Sequence, residues 1–129
     1  MGVRGAGGVF GGGGGGGGGS APAFKNSVSD APGAAVNNYA PAGYVAGTTN
    51  RLLITAAVGG TTLTGLLAAT DGWGVYIRNV STTDNLTFSH LDAGSLAANQ
   101  FSCPQGVNAV LQPLTGVFLV YAAGKWVFS

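Results

Sequence analysis

Residues 71–89 of the chain, DGWGVYIRNVSTTDNLTFS, decide its fold class. From Trp73 to Arg78, the residues Trp, Val and Ile alternate with Gly, Tyr and Arg. Because successive side chains of a β-strand point to opposite faces, this period of two predicts a strand with one buried face. Asp71-Gly72 directly before it is a strong hairpin-turn signal, and a polar loop follows at residues 81–84. The stretch therefore predicts a short strand bounded by turns.

The same pattern continues through residues 50–129. Short runs rich in Leu, Ile and Val stand between turn signals at a spacing of roughly ten residues, which indicates about eight short strands. No helix cap followed by a 3.6-residue period occurs there. We therefore predict an all-β fold, an antiparallel β-sandwich, a jelly-roll-like module or a small barrel, preceded by an extended glycine-rich N-terminal arm. The turn signals include Gly59-Gly60, Pro104-Gln105-Gly106, Pro113 and the segment 122–124.

The predicted arm comprises residues 1–20. Thirteen of the 25 glycines lie within residues 1–19, and nine of them follow one another without interruption. Such a stretch cannot bury a core, because it has no side chains and loses much backbone entropy when it becomes ordered. It is either a flexible tether or an extended helix packed against copies of itself, since only glycine fits on the crowded axis of such a bundle. Gly11, Gly15 and Gly19 are the assembly residues that we predict for this arm.

Residues 21–49 form a second zone, in which neither a helical nor a strand period persists. It contains three prolines, several Asn and Asp residues of the kind that form turns, and scattered alanines. We predict an extended connector that lies along a neighbouring surface, with a floppy linker as the alternative. Phe24, Tyr39 and Tyr44 are its predicted attachment residues, because an aromatic side chain buries much area while few torsions are immobilised. The predicted β-domain then spans residues 50–129.

Composition excludes several classes of partner. Only 7% of the 129 residues are charged, none is Glu, and the formal net charge is +1. We therefore expect neither nucleic acid nor a membrane as a partner, since both would require a basic surface. The single cysteine excludes a disulfide within the chain. A surface so poor in charge must be wetted by Ser, Thr, Asn and Gln, or be covered by other subunits.

Groups that could perform catalysis are scarce. His90 is the only histidine, and Ser89 and Asp92 stand near it in the sequence. Adjacent residues of a strand point to opposite faces, so Ser89 cannot present its hydroxyl to the ring of His90 within one strand. Cys103 could pair with His90 as a nucleophile, but a lone cysteine in an apolar strand is typical of a core. We predict no enzyme, no catalytic residue and no cofactor.

Metal and paired-acid chemistry are also poorly supported. A glycosidase needs two carboxyl groups held together, whereas three of the four aspartates stand at turns. A calcium site that uses Asp84, Asn85 or Asp92 stays open as an alternative, although the spacing of a known calcium loop is missing. One His and one Cys do not make four zinc ligands. The prediction is that the chain has no metal site.

Four aromatic residues could face a ligand. Trp73, Tyr76, Tyr121 and Trp126 could stack on the faces of sugar rings. The alternative is that the two tryptophans hold the core together or line a contact between subunits.

The order of several short motifs resembles a β-rich module of bacteriophage virion proteins, namely head or tail fibres and small capsid decoration proteins. In that module an I-x-N strand leads into a polar turn, and an N-x-F element, a proline-bounded strand and a closing Y…W hairpin follow. The resemblance covers about residues 50–129, and Ala122 stands where the module usually has Asp after the closing Tyr. The matching residues are Val75 to Asn79, Leu86 to Phe88, Ala98 to Phe101, Pro104, Val110 to Pro113, Val120-Tyr121 and Trp126.

This resemblance implies a homotrimeric, non-enzymatic virion component that is attached at one end, through its N-terminal arm, and projects a β-domain outward. The implied partners are further copies of the chain, the major capsid protein or another virion protein, and a host surface glycan. With no apolar run suited to a secretory signal, we expect synthesis in the host cytoplasm followed by incorporation into the virion. The alternative is a receptor-binding or carbohydrate-binding β-module on a flexible glycine tether.

Overall fold

The computed structural model describes residues 26–129 and shows an all-β fold with two sheets. The predicted arm, with Gly11, Gly15 and Gly19, and the predicted attachment residue Phe24 lie outside the described residues. Two short 3₁₀ turns, Ala97–Asn99 and Pro104–Gly106, interrupt the strands. The strands are β1 (Ser27–Asp30), β2 (Ala35–Val36), β3 (Arg51–Ile54), β4 (Thr61–Leu63), β5 (Gly74–Asn79), β6 (Leu86–Phe88), β7 (Phe101–Ser102), β8 (Ala109–Leu111), β9 (Gly116–Ala122) and β10 (Lys125–Phe128).

The chain winds as a β-solenoid of about four turns. Each of the first three turns places one strand in a six-stranded sheet and the next strand in a four-stranded sheet. Within each sheet these strands are parallel, β1 beside β3 beside β5 and β2 beside β4 beside β6. Ser27, Arg51 and Tyr76 are in register, so one turn of the solenoid takes about 25 residues.

The all-β prediction is thus confirmed, but the predicted antiparallel sandwich or jelly roll is wrong. A period of two shows that a strand has one buried face, and it contains no information on the direction of the neighbouring strand. Gly59-Gly60 lies between β3 and β4, and Asp71-Gly72 between β4 and β5. These turn signals therefore take the chain from one sheet to the other, where we expected them to reverse it within a sheet.

The last turn of the solenoid runs in the opposite direction. Here β8 is antiparallel to β6 and β9 is antiparallel to β5, so the chain passes from the four-stranded to the six-stranded sheet. A tight hairpin at Ala123-Gly124, both with positive φ, then leads into β10. Positive φ at two central residues is the geometry of the short turns that join antiparallel strands. β7 pairs with β10 and closes the edge of the six-stranded sheet.

The core lies between the two sheets. Phe88 stands at its centre, with Phe101 and Phe128 packed edge-on at ring-centre distances of 5.0 and 5.3 Å. Their arrangement is the favourable T-shaped contact between aromatic rings. Burying such side chains is the main source of stability, at about 25 cal/mol for each Å² of apolar surface removed from water. Other fully buried core residues are Leu52, Ile54, Leu63, Leu66, Val75, Ile77, Leu86, Leu119 and Trp126.

Polar side chains join successive turns at the corner that follows the four-stranded sheet. Asn37, Thr64 and Ser89 occupy equivalent positions, each directly after a strand of that sheet. Thr64 Oγ1 lies 2.7 Å from Asn37 Oδ1 and 2.7 Å from Ser95 Oγ. Because buried polar groups must be hydrogen-bonded, this chain of contacts fixes the path of the corner.

The described part of the predicted connector, residues 26–49, contains β1 and β2. These strands form the first turn of the solenoid, and β1 is an edge strand of the six-stranded sheet.

Candidate binding surfaces

Tyr39 and Tyr44, two of the predicted attachment residues, are buried between the first and second turns. The Tyr39 hydroxyl donates to Asp30 Oδ2 at 2.7 Å, and the Tyr44 hydroxyl donates to the Leu67 carbonyl oxygen at 2.9 Å. Burial and then the Asp30 carboxylate raise the pKa of Tyr39 far above its usual value, and burial raises the pKa of Tyr44 to about 12. Within the described residues, both tyrosines hold the fold together.

Three of the four aromatics that could face a ligand belong to the core or its margin. Trp126 is fully buried, and its Nε1 donates to the Leu66 carbonyl oxygen at 2.8 Å. Tyr121 is buried against it, with ring centres 5.1 Å apart. Trp73 is partly buried, and its Nε1 donates to the Thr49 carbonyl oxygen at 2.9 Å. Tyr76 is the one of the four that points out of the six-stranded sheet.

The Ser, His and Asp side chains considered for catalysis do not form one chain of hydrogen bonds. Ser89 Oγ donates to Asp92 Oδ2 at 2.7 Å, whereas His90 Nδ1 accepts from the backbone N–H of Cys103 at 3.0 Å. The hydrogen bonds from the Gly94 N–H and from Ser89 lower the pKa of Asp92. Cys103 is buried, and burial raises the pKa of its thiol. Each of these side chains therefore has a contact that stabilises the local fold.

Within residues 26–129, no three His, Cys, Asp or Glu side chains come close enough to hold a metal ion. The same residues contain no helix with the length and apolar content that crossing a bilayer requires.

Tyr76 on β5 and Phe118 on β9 stand directly opposite each other on the outer face of the six-stranded sheet. Asn79 N donates to the Thr115 carbonyl oxygen in the same strand pair, three positions further along. Since hydrogen-bonded and non-hydrogen-bonded pairs alternate, Tyr76 and Phe118 form a non-hydrogen-bonded pair, with Cα atoms ~4.5 Å apart. Two aromatic side chains therefore leave the sheet at almost the same point.

Each of the two rings leans across to the neighbouring strand and lies over a glycine. A Cβ atom on Gly74 would collide with the Phe118 ring, and one on Gly116 would collide with the phenol end of Tyr76. Glycine inside a strand costs stability and often marks a close approach of another group, which here is an aromatic ring. The rings thus lie along the sheet surface. We call Gly74, Tyr76, Gly116 and Phe118 the aromatic platform.

Sequence reasoning selected Tyr76 but missed Phe118 and both glycines. A signal for them was present, because Gly74-Val75-Tyr76 and Gly116-Val117-Phe118 have the same form, Gly-Val-aromatic. When two such tripeptides pair antiparallel with their aromatics opposite, each aromatic reaches the glycine of the other strand. The register that brings them together could not be read from either tripeptide alone.

Positive charge lies on one side of the platform. Arg51 on β3 is in register with Tyr76, and Arg78 follows two residues after Tyr76 on the same face. Arg51 Nε donates to Ser27 Oγ at 3.0 Å, whereas the guanidinium of Arg78 makes no hydrogen bond or ion pair with residues 26–129. On the other side, β10 places Val127, which is 37% exposed, and Lys125 on this face.

None of the four aspartate side chains lies on this outer face. Asp30 points inward and accepts from the Tyr39 hydroxyl. The other three accept hydrogen bonds from backbone N–H groups in the corners, Asp71 from Ala123, Asp84 from Gly59 and Asp92 from Gly94. On the outer face of the six-stranded sheet, the aromatic platform therefore lies between two arginines, Arg51 and Arg78, on one side and strand β10, with Lys125 and Val127, on the other.

The outer face of the four-stranded sheet is uncharged. Ala35, Thr62, Thr87 and Val110 stand in one row across its four strands. Ala35 and Val110 are exposed, and the two threonines are half-buried. We call these four residues the neutral row.

No protein-family model, curated protein or solved structure matches the chain. The fold and its surfaces define a small β-solenoid with two outer faces of different chemistry, one neutral and one aromatic and cationic. The resemblance to phage fibres stays a prediction from the sequence motifs.

Proposed function

We propose that the protein is a non-enzymatic structural component of a phage virion, a homotrimer attached to the particle through its N-terminal arm. The observation that supports this proposal best is the neutral row on the four-stranded sheet. Covering an uncharged face requires no ion to lose its hydration, and the centres of protein interfaces are poor in charged residues. Another copy of the chain is the partner that we propose for this face.

The other outer face is a poorer surface for contact between copies. Packing three chains through it would bring Arg51 and Arg78 of each copy near those of the others. Like charges placed against each other at an interface cost several kcal/mol. The six-stranded sheet would therefore face away from the neighbouring copies, with the aromatic platform on the outer side of the trimer.

Two further features support the virion as the location. The charged fraction of 7% suits a chain whose surface is largely covered in an assembly. The fibre-like motifs lie in the part of the chain that forms β5 to β10. The major capsid protein or another virion protein would bind the arm, after synthesis in the host cytoplasm.

Binding to capsids tests this proposal. Full-length protein should co-sediment with purified capsids of a phage that encodes the chain and should raise their resistance to heat. A variant that lacks residues 1–20 should bind the same capsids at least about tenfold more weakly, since many small contacts of three arms add through effective concentration. A variant shortened at the other end, by Ser129 alone, is the control and should bind normally. Equal binding by the armless variant would exclude attachment through the arm, and no binding by the intact chain would exclude the capsid as its partner.

The aromatic platform favours a second function, that of a receptor-binding or carbohydrate-binding module. Aromatic rings that lie flat and exposed are typical partners for the apolar faces of sugars. Both functions fit one particle, because they use opposite faces of the solenoid.

A further inference from the structure

We infer that the aromatic platform and Arg78 form a binding site for an acidic oligosaccharide, one that has carboxylate or sulfate groups on its sugar rings. The inference rests on the carbohydrate-binding function proposed above and does not require the trimer. It assigns a site, a ligand class and a role for each side chain.

The position of the rings determines what can stack on them. Phe118 is 39% exposed although it lies against the sheet, so part of its side chain is open to solvent. Gly74, under the Phe118 ring, and Gly116, under the Tyr76 ring, are four residues apart along the strand direction. The far ends of the two rings are therefore ~13 Å apart. That length fits more than one monosaccharide, which favours an oligosaccharide over a single sugar.

The charges beside the rings determine the ligand class. Arg78 stands opposite Gly116, next to the phenol end of Tyr76. Its planar guanidinium can donate two parallel hydrogen bonds to a carboxylate or a sulfate. Arg51 adds positive charge in register with Tyr76. An acidic sugar is therefore favoured over a neutral or a basic one.

Other occupants fit this face less well. A nucleic acid binds through many phosphate contacts, and two arginines provide few of them. A second copy of the chain would place arginine against arginine. A sugar of a few units requires only one or two charge contacts beside the stacking rings, and the platform provides this combination.

Calorimetric titration of the full-length protein tests the inference. The probes are tetragalacturonate, which has carboxylates, and a heparin-derived tetrasaccharide, which has mainly sulfates. The matched neutral control is fully methyl-esterified tetragalacturonate, which has the same rings without the charge. At least one acidic probe should bind about tenfold or more tightly than the ester, since charge-assisted hydrogen bonds add to the stacking. The stronger of the two acidic probes identifies the preferred anionic group.

Variants locate the site. Phe118→Ala, Arg78→Gln and Gly116→Ala should each weaken binding of the acidic probe by about tenfold, the last because its Cβ displaces the ring of Tyr76. Lys125→Gln is the control for loss of charge, because Lys125 Nζ donates to a backbone carbonyl away from the platform. Leu96→Ala is the control for loss of exposed apolar surface. Both controls should bind like the parent, and thermal melting should show that all five variants are folded.

The outcomes separate this inference from the proposed assembly. No binding of either acidic probe, or equal binding of the ester, would overturn the acidic-sugar site even if the protein is a trimer. Unchanged affinity of the folded Arg78→Gln and Phe118→Ala variants would overturn the location. A monomer that binds an acidic probe through these residues would support the site and would contradict the trimer alone.

Discussion

At Gly65 the backbone has no room for a side chain. A Cβ atom there would lie 2.6 Å from Ser95 Cβ and 2.7 Å from the Asn99 carbonyl oxygen. The Ser95 hydroxyl is held by Thr64 and by the backbone N–H of Asn38, so it cannot move aside. The polar corner after the four-stranded sheet therefore depends on one glycine.

We expect Gly65→Ala to lower the free energy of unfolding by about 3 kcal/mol, because the added methyl group overpacks the corner. Gly33→Ala is the matched control, since a Cβ there would meet nothing within 4 Å, and its effect should stay within about 1 kcal/mol. Urea denaturation measures both values. Equal effects of the two substitutions would contradict the tight packing at Gly65.

At the level of the strands, Asn79 joins the forward and reversed turns of the solenoid. It ends β5 and is fully buried. Its Nδ2 donates to the carbonyl oxygens of Asp84 at 2.8 Å and Leu111 at 3.1 Å, and its Oδ1 accepts from Ser81 N at 3.1 Å. Leu111 ends β8, so this one amide fastens the antiparallel strand to the parallel ladder.

We expect Asn79→Ala to cost about 3 kcal/mol of stability, because it leaves several backbone groups without a partner. Asn85→Ala, at an exposed position in the adjacent corner, should change stability by no more than about 0.5 kcal/mol. Chemical denaturation gives the two values, and amide hydrogen exchange should show faster exchange in β8 for the Asn79 variant alone. A stable variant with normal protection of β8 would show that other contacts hold the reversed turn.

At the scale of the whole molecule, the solenoid separates its surface chemistry between two sheets. The neutral row lies on one outer face, and Arg51 and Arg78 lie on the other. The proposed trimer uses the neutral row, so a charge placed in its centre should prevent assembly. Thr87 is the central position for this experiment, since its neighbours in the row are Thr62 and Val110.

We expect light scattering to give three times 12.6 kDa for the intact chain and a monomer for Thr87→Arg. Three arginines brought together should raise the dissociation constant by at least about 100-fold. Thr82→Arg places the same residue at an exposed corner position five residues away and should remain a trimer. A monomeric parent at micromolar concentration would contradict the trimer, and a trimeric Thr87→Arg would show that the copies meet elsewhere.

Local patterns were sufficient to predict that the chain is all-β. The alternation from Trp73 to Arg78 corresponds to β5, because the direction in which strand side chains point is a property of the backbone alone. Because these patterns are local, they also led to the wrong prediction of how the strands are arranged in the sheets. A Gly-Gly or Asp-Gly pair shows that the chain bends, and it does not show whether the next strand returns beside the last one or crosses to a second sheet.

The sequence by itself determined which segments form strands from residue 50 onward, how little charge the surface has, and that no disulfide can form within the chain. Only the tertiary structure decided which strands are neighbours, and hence that β1, β3 and β5 run parallel about 25 residues apart. Pairing depends on hydrogen bonds and buried contacts between residues distant in the chain. For the same reason, only the register between β5 and β9 brings the two Gly-Val-aromatic tripeptides together as the aromatic platform.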